Sequence, residues 1–469
     1  MEENKPHLKR ELGLIAATAI VIGNMIGSGI FLAPQQLAAA SNPATSLVSW
    51  LITGVGSILL ALSFANIGSA MPRTGGPVVF TKAAFGSFAC FLVTFSYWNG
   101  SWSGTAAIIT GFVRYLGYFF APLNDASPSY SSFLAFMVSS AVLWLFTWIN
   151  IKGVKEAGIV GIITTGMKIL ALLAFGAIVA GKFKWEYLSQ PSSASVAGWA
   201  SLPAGITITL WAFLGLESAS ISAGEIKNPE RNVRIATIAG ILITTLIYFM
   251  ISFLAMGSLS QEQLAKSQAP LADAINAVTG ATWGGSLIAI GAIFSTLGAA
   301  SGWILTTARV SFSAAEEKLF PKFFGKIHPD YSTPHVSLIV SGIISNLLLI
   351  LNYVGSLTSA FNFMILMSTL AYLLPFAFTT AAEIVLLRVP LTKPFGFKTF
   401  VKSSIIPLLG FIYSLGAIYG SGAETVLYGF ILFLLGIPLY VYMMFEKEEE
   451  TGAIARLRED AANSALKEK

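Results

Sequence analysis

Residues 23–34 read GNMIGSGIFLAP and lie in the middle of an apolar run that extends over residues 12–40. Glycine costs roughly 1 kcal/mol in a helix interior, and backbone groups that are freed within lipid must find other partners. Three glycines and a serine in one membrane-length run therefore predict a discontinuous helix whose exposed N–H and C=O groups bind a solute. A packing face of small residues is the alternative interpretation of Gly27, Ser28 and Gly29.

The composition of the whole chain supports a membrane protein. Of the 469 residues, 55% are hydrophobic and only 11% are charged, and the mean hydropathy is +0.73. A soluble domain carries roughly a quarter charged residues, so this chain has too little charge to cover a surface that faces water. The apolar segments recur from end to end without a polar domain between them, which predicts one membrane domain.

Twelve apolar runs reach the roughly 20 residues that a membrane-spanning helix needs. The predicted spans are residues 12–40, 46–71, 86–118, 132–151, 158–181, 200–223, 235–259, 283–313, 336–353, 360–387, 405–422 and 425–446. The predicted fold is therefore an all-α integral membrane protein with 12 transmembrane helices. Residues 1–11 and 447–469 are predicted tails, and residues 12–446 form a single predicted membrane domain.

The basic residues predict the orientation of these spans. If both tails are cytoplasmic, 23 Lys and Arg residues lie on the cytoplasmic side and four on the other, while Lys168 lies inside a span. This split satisfies the positive-inside rule. We therefore expect a multi-pass protein of the inner (plasma) membrane. The net charge of +5 is spread over short loops, so the lipid bilayer, and no nucleic acid, is the expected partner.

A second interruption lies in the sixth span, where Gly215 and the ionisable Glu217 fall near the middle. The two interrupted spans occupy equivalent places in spans 1–5 and 6–10. Paired interruptions of this kind indicate an inverted repeat with a solute site at the membrane midplane. We predict repeats over residues 12–181 and 200–387, with residues 405–446 outside them.

The two predicted breaks have complementary chemistry. The half-helix that starts after the first break has unpaired N–H donors and a positive dipole end, which suit a carboxylate. The half-helix that ends at the second break has carbonyl acceptors, which suit an ammonium group. A zwitterionic amino acid fits both ends together.

Other functions have little support in the sequence. A channel would show pore-lining charges or a carbonyl filter motif, and neither is recognisable. An ATP-driven pump would carry a GxxxxGK[ST] loop, which the sequence lacks. The single Cys90 and three scattered histidines do not form an enzyme-like or metal-like constellation, so no catalytic residue, metal or cofactor is expected.

At these residues the chain resembles the amino acid–polyamine–organocation superfamily, whose members have the LeuT-like fold. The likeness is strongest to the bacterial basic amino acid/polyamine antiporters, which include arginine/agmatine, lysine/cadaverine and putrescine/ornithine exchangers. The motifs that carry it are GNMIGSGIFLAP at 23–34, PRTGGP at 72–77, TLWAFLGLESAS at 209–220, KNPERNVRIATIAG at 227–240, GAASGWILTTARVSFSAAEEKLFPKFF at 298–324 and YGSGAETVLYG at 419–429.

The resemblance implies secondary active antiport by alternating access, in which an external amino acid is exchanged for an internal amino acid or its amine. It also implies a set of substrate-binding residues. By likeness these are Ile26, Gly27, Ser28 and Gly29 for the carboxylate, Trp211, Ala212 and Leu214 for the amino group and side chain, Trp303 as an aromatic cover, and Tyr97 and Thr105 on the third span. Thr105 stands where the arginine/agmatine exchangers carry Asn.

Two ionisable residues inside the spans are assigned coupling or gating roles. An ionisable group at mid-membrane is costly and functional by default, so Glu217 is expected to couple protons to substrate release or to pair with a cationic substrate. A neutral carboxylic acid that joins two helices is the alternative. By likeness to small neutral amino acid exchangers, the ammonium of Lys168 would occupy the place of a sodium ion, which implies sodium-independent transport.

The substrate remains open between two classes. The segment around Glu217 and the two tryptophans, Trp211 and Trp303, favour a basic amino acid or its amine. Thr105 and Lys168 favour a small neutral L-amino acid, and a proton-coupled amino acid symporter of the same superfamily is a further alternative. A homodimer is compatible with the sequence.

Overall fold

The computed structural model describes residues 10–123, 128–189, 198–353, 357–388 and 396–451. Most of the two predicted tails lies outside these residues. The described residues are helical almost throughout, and their one extended pairing is an isolated bridge between Leu12 and Ile226.

The described residues form seventeen α-helices. In chain order they are α1 (Leu14–Met25), α2 (Gly29–Ala40), α3 (Pro43–Ala70), α4 (Pro77–Leu116), α5 (Pro128–Lys152), α6 (Val154–Ala180), α7 (Glu186–Ser189), α8 (Leu202–Phe213), α9 (Ser218–Ile221), α10 (Pro229–Met256), α11 (Gln261–Lys266), α12 (Pro270–Thr279), α13 (Trp283–Glu316), α14 (His335–Asn352), α15 (Leu357–Glu383), α16 (Phe397–Gly420) and α17 (Ala423–Thr451).

Ten helical stretches in the described part of the chain are long and apolar enough to cross a membrane, counting α1 and α2 as one. The two remaining predicted spans differ from the ten for identifiable reasons. The ninth span is α14, which is apolar but shorter. The sixth span is divided between α8 and the one-turn helix α9. The chain is thus an α-helical, multi-pass membrane protein, and the count of twelve stays a prediction.

Proline and glycine explain several helix boundaries. Proline occupies the first turn of α3, α4, α8, α10 and α12, where its missing N–H would have had no helical partner. Asn42 also caps α3, because its side chain accepts a hydrogen bond from the Thr45 amide at 2.8 Å. Within α4, Gly86 has a φ of +78° and separates a short first segment from the long one. The third predicted span starts at this same residue.

The broken helices lie in the centre of the bundle. Helix α4 packs against α13 and α15, and α1 packs against α6, α10 and α13. Helix α17 lies at the periphery, where Leu435 and Tyr442 are 66% and 61% exposed. Such apolar exposed faces are suited to lipid, whereas the breaks in the first and sixth spans are surrounded by protein on all sides.

Candidate functional site

The first span is interrupted between Met25, where α1 ends, and Gly29, where α2 begins. Ile26 leaves the helical region with φ −78° and ψ 79°. The second interruption separates α8 from α9: Leu214 is extended and Gly215 has a φ of +111°. Both breaks therefore lie within one helical turn of their predicted positions, which were residues 27–29 in the first span and residues 215–217 in the sixth.

The two breaks pack backbone against backbone. A Cβ atom added at Gly215 would lie 2.7 Å from Cβ of Asn24 and 2.9 Å from the backbone nitrogen of Met25. A Cβ atom added at Gly29 would lie 3.1 Å from Cα of Ala212. These distances are shorter than ordinary van der Waals contact, so glycine is required for the close approach of the two unwound segments.

A cavity lies beside the breaks. Six predicted site residues line it: Gly27, Ser28, Gly29, Trp211, Leu214 and Trp303. Six lining residues were not predicted, namely Asn24, Met25, Gly104, Ile108, Ser368 and Tyr372. Asn24 had a signal in the sequence, because it is a polar residue inside an apolar run. Ser368 and Tyr372 resemble many other small or aromatic residues of the spans and had none.

The first break presents hydrogen-bond donors to the cavity. Ser28 is fully buried, and among the described residues its hydroxyl oxygen has no hydrogen-bond partner. The first N–H groups of α2, which starts at Gly29, have no acceptor within their own helix. A buried donor without a partner is costly, so this end of the cavity is suited to an anionic or acceptor group of a ligand.

Aromatic rings form another part of the cavity wall. Nε1 of Trp303 donates a hydrogen bond to the carbonyl oxygen of Asn24 at 3.1 Å, which fixes the indole against the end of α1. The rings of Trp303 and Tyr372 are 5.3 Å apart, and those of Tyr372 and Tyr97 are 4.6 Å apart. The rings of Trp303 and Tyr372 offer apolar surface and π faces to a ligand side chain.

Glu217 lies behind this aromatic wall. Its Oε1 accepts a hydrogen bond from the hydroxyl of Tyr97 at 2.6 Å, and its Oε2 accepts one from the amide of Gly215 at 3.1 Å. The carboxyl group is fully buried and is not among the cavity-lining residues. It therefore joins the second break to α4.

Lys168 connects α6 to the first break. Its ammonium nitrogen donates to the carbonyl oxygens of Gly23 at 2.9 Å, Ile26 at 2.5 Å and Ser295 at 3.2 Å. The hydroxyl of Ser295 also donates to the Ile26 carbonyl at 2.9 Å. An ammonium group has three N–H donors, so these three carbonyls use the full donor capacity of Lys168.

The remaining predicted residues lie outside the cavity wall. The carbonyl of Ala212 accepts a hydrogen bond from the Tyr248 hydroxyl at 2.8 Å. The hydroxyl of Thr105 donates to the carbonyl of Ser101, one turn earlier in α4, at 2.8 Å. Ile26, Tyr97, Glu217 and Lys168 also surround the cavity without lining it. Direct substrate contacts from Ile26, Tyr97, Thr105 and Ala212 stay predictions.

Within the residues that the structure describes, no three or more His, Cys, Asp or Glu side chains stand together where they could hold a metal ion. The chemistry available at the site is hydrogen bonding from backbone and hydroxyl groups together with contact to aromatic rings. These groups can bind and release a solute without forming or breaking covalent bonds.

Residues 12–445 match the family model described as amino acid permease. The chain is 31% identical over 447 residues to an arginine/agmatine antiporter of Chlamydia pneumoniae, covering 92% of this chain and 90% of that protein. It is 31% identical over 469 residues to a putative arginine/ornithine antiporter of Bacillus subtilis, covering 94% and 99%. It is 30% identical over 444 residues to the putrescine transporter PotE of Haemophilus influenzae, covering 93% and 98%.

The family match covers both broken spans and the stretch that contains every cavity-lining residue, and the three relatives are matched over nearly the whole chain. Together with the helical, multi-pass architecture, they show that the chain belongs to the amino acid permease family of membrane transporters.

Proposed function

We propose that the protein is a sodium-independent antiporter that exchanges an external basic amino acid for an internal amino acid or its amine by alternating access. The observation that carries the proposal is the pair of helix breaks packed together beside one cavity. Such paired breaks are where transporters of inverted-repeat architecture bind solutes. The printed names of the three relatives, which concern arginine, agmatine, ornithine and putrescine, support the substrate class.

The two ends of an amino acid are matched by different parts of the site. The substrate carboxylate would accept hydrogen bonds from the N-terminus of α2 and from the free hydroxyl of Ser28, where the helix dipole also favours negative charge. The amino group would donate to carbonyl oxygens at the end of α8, near Trp211 and Leu214. Because the donors lie on the first break and the acceptors on the second, the substrate would be oriented across the cavity.

Aromatic rings, and not a carboxylate, would receive a cationic side chain. The cavity wall contains Trp211, Trp303 and Tyr372 and no Asp or Glu among its described residues. A cation over a desolvated indole face gains roughly 2 kcal/mol. A small neutral L-amino acid is the second candidate. The same wall would accept an uncharged side chain, and the hydroxyl of Thr105 already donates its hydrogen bond to a backbone carbonyl of its own helix.

Lys168 supports the independence from sodium. Unwound backbone carbonyls at a helix break are the groups that bind a coupling cation in transporters of this architecture. Here the ammonium of Lys168 already occupies the Gly23, Ile26 and Ser295 carbonyls. An ammonium group at this position would stabilise the break without a metal ion.

The proposed alternating access also requires a particular arrangement of the spans. We infer twelve spans with a LeuT-like 5+5 inverted repeat, formed by residues 12–181 and 200–387 and followed by residues 405–446, in an inner membrane with both tails cytoplasmic. Glu217 would link movement of the second break to α4 through Tyr97, and its protonation would weaken that link. The basic residues that were counted along the sequence support the orientation.

The substrate class can be tested with purified protein in liposomes. We expect labelled arginine, lysine or ornithine to enter liposomes that contain an unlabelled basic amino acid or amine, and labelled alanine to enter much more slowly. Alanine exchange that is faster than exchange of all three basic substrates would support the neutral amino acid exchanger instead.

A further inference from the structure

A buried ion pair outside the cavity joins the end of the sixth span to α13. Nε and Nη2 of Arg309 donate to the two carboxylate oxygens of Glu225 at 3.0 and 2.8 Å. Their side chains are only 0% and 1% exposed. Two parallel hydrogen bonds of this kind give a charge pair a fixed geometry, so the segment that follows the second break is held firmly against α13.

Glu225 also binds the beginning of the described chain. Its backbone carbonyl accepts hydrogen bonds from the amides of Glu11 and Leu12, both at 3.0 Å, and the carbonyl of Leu12 accepts one from the amide of Lys227 at 2.8 Å. The side chain of Leu12 is buried and packs against Gly158 of α6. Residues 11–12 therefore form a strap across residues 225–227.

A third element contacts the same segment. The amide of Gly75, in the PRTGGP loop, donates to the carbonyl of Ile221 at 2.9 Å. The hydroxyl of Ser313, one turn beyond Arg309 in α13, donates to the carbonyl of Thr74 at 3.1 Å. The segment after the second break is thus bound by the strap, by the loop and by α13.

The opposite end of the molecule is closed by contacts of a different kind. There, Nε2 of Gln35 donates to the carbonyl of Ala265 at 3.1 Å, and Nε2 of Gln261 donates to the carbonyl of Ser41 at 2.8 Å. The buried guanidinium of Arg114 donates to Oε1 of Gln268 at 3.1 Å. These contacts join α2 and α4 to the segment around α11.

We propose that the Glu225–Arg309 pair is the latch of the inner gate and that the latch opens once in each transport cycle. This inference rests on the proposed function, whose cytoplasmic orientation of both tails defines the inner side. Both residues are positioning residues, because they act on the second break through residues 218–225 and do not line the cavity. Removing one partner of a buried pair leaves the other charge uncompensated, which should favour a conformation in which water reaches it.

The latch can be tested by cysteine labelling from the cytoplasmic side. In a Cys90→Ala background, which removes the only cysteine, Ser222→Cys places a reporter three residues before Glu225 at a fully buried position. Inside-out vesicles are then treated with a membrane-impermeant maleimide. We expect Glu225→Gln to raise the labelling rate about tenfold or more through a population shift toward the inner-open state. Arg309→Lys keeps the charge but loses the two-point geometry, and should give a smaller increase.

Glu262→Gln is the matched control, because it removes one carboxylate from the exposed Glu262–Lys266 pair and should leave the labelling rate unchanged. Equal labelling in the parent and in folded Glu225→Gln protein would overturn the latch. If Glu225→Gln does not fold, Arg309→Lys and Leu12→Pro, which removes one strap hydrogen bond, decide the question by the same criterion.

The labelling needs no substrate, so it is independent of exchange measurements. Increased labelling together with no exchange of any amino acid would retain the latch and contradict the proposed function.

Discussion

Nζ of Lys168 lies 2.5 Å from the carbonyl oxygen of Ile26, so a side chain of α6 is hydrogen bonded directly to the unwound turn of the first span. The same nitrogen reaches Gly23 in α1 and Ser295 in α13. One ammonium group therefore fixes three segments around the first break. The contact therefore supports the turn beside the cavity, although Lys168 is not part of the cavity wall.

Lys168→Ala is expected to reduce exchange by at least about tenfold. Three buried carbonyl oxygens would lose a charged donor, and a hydrogen bond to a charged group contributes roughly 1.5–3 kcal/mol. Lys155→Ala is the control, because Lys155 lies on the same helix but is exposed. Initial rates of exchange in liposomes measure both variants. The same assay should give the parent protein equal rates with sodium and with a bulky organic cation in its place.

A strong sodium requirement of the parent protein would contradict the assigned place of Lys168. Full exchange by Lys168→Ala would contradict its structural role at the break.

Gly215→Ala should abolish exchange, because its new Cβ atom would collide with Asn24 and with the backbone of Met25. Gly280→Ala is a matched control: Gly280 also has a positive φ, of 69°, but nothing lies within 4 Å of its ideal Cβ position. The left-handed φ costs an alanine at residue 280 roughly 1–2 kcal/mol, so this control shows the effect of a positive φ without a collision. Equal exchange rates for the two variants would show that close contact of the breaks is unnecessary.

Tyr97→Phe is expected to slow exchange by about tenfold, because the buried carboxyl of Glu217 would lose this partner and an unsatisfied buried group costs roughly 1–3 kcal/mol. Tyr353→Phe removes a comparable buried hydroxyl, one that lies 2.6 Å from Oγ of Ser139 and away from the cavity, and should have a smaller effect. The comparison uses exchange rates normalised to the amount of folded protein. Similar losses in both variants would mean that the Tyr97–Glu217 contact has no special part in the cycle.

Glu217→Gln tests the coupling role separately. If protonation of this carboxyl weakens the link to Tyr97, the variant should exchange at a rate that changes less with pH than the rate of the parent. The pH profile of exchange is the measurement. A variant that reproduces the parent profile at full rate would exclude Glu217 from coupling.

The sequence was most informative about features that depend on the backbone. Glycine and serine at residues 27–29, and Gly215 with Glu217, predicted the two breaks because these residue types are unfavourable inside a membrane helix. Apolar length predicted the spans, and the structure places their ends within a few residues for most of them. The third predicted span starts at Gly86, where α4 divides, but no pattern indicated the short helical segment that precedes this glycine.

The contacts of the site were much less accessible from the sequence. The acceptors of Lys168 are backbone carbonyls, which every residue carries, so no residue type indicated them. Tyr372 lies 275 residues after Tyr97 in the chain, and one tyrosine among fourteen has no distinguishing signal. Helices α11 and α12 were also missed, because they are too short and too polar to resemble spans.

Obligatory exchange through the cavity is the central claim, and uptake of labelled arginine by liposomes with and without internal substrate tests it most directly. We predict rapid uptake when the liposomes contain a basic amino acid or amine, and uptake close to that of protein-free liposomes when they contain none. Rapid arginine uptake into liposomes without any internal amino acid or amine would contradict the account.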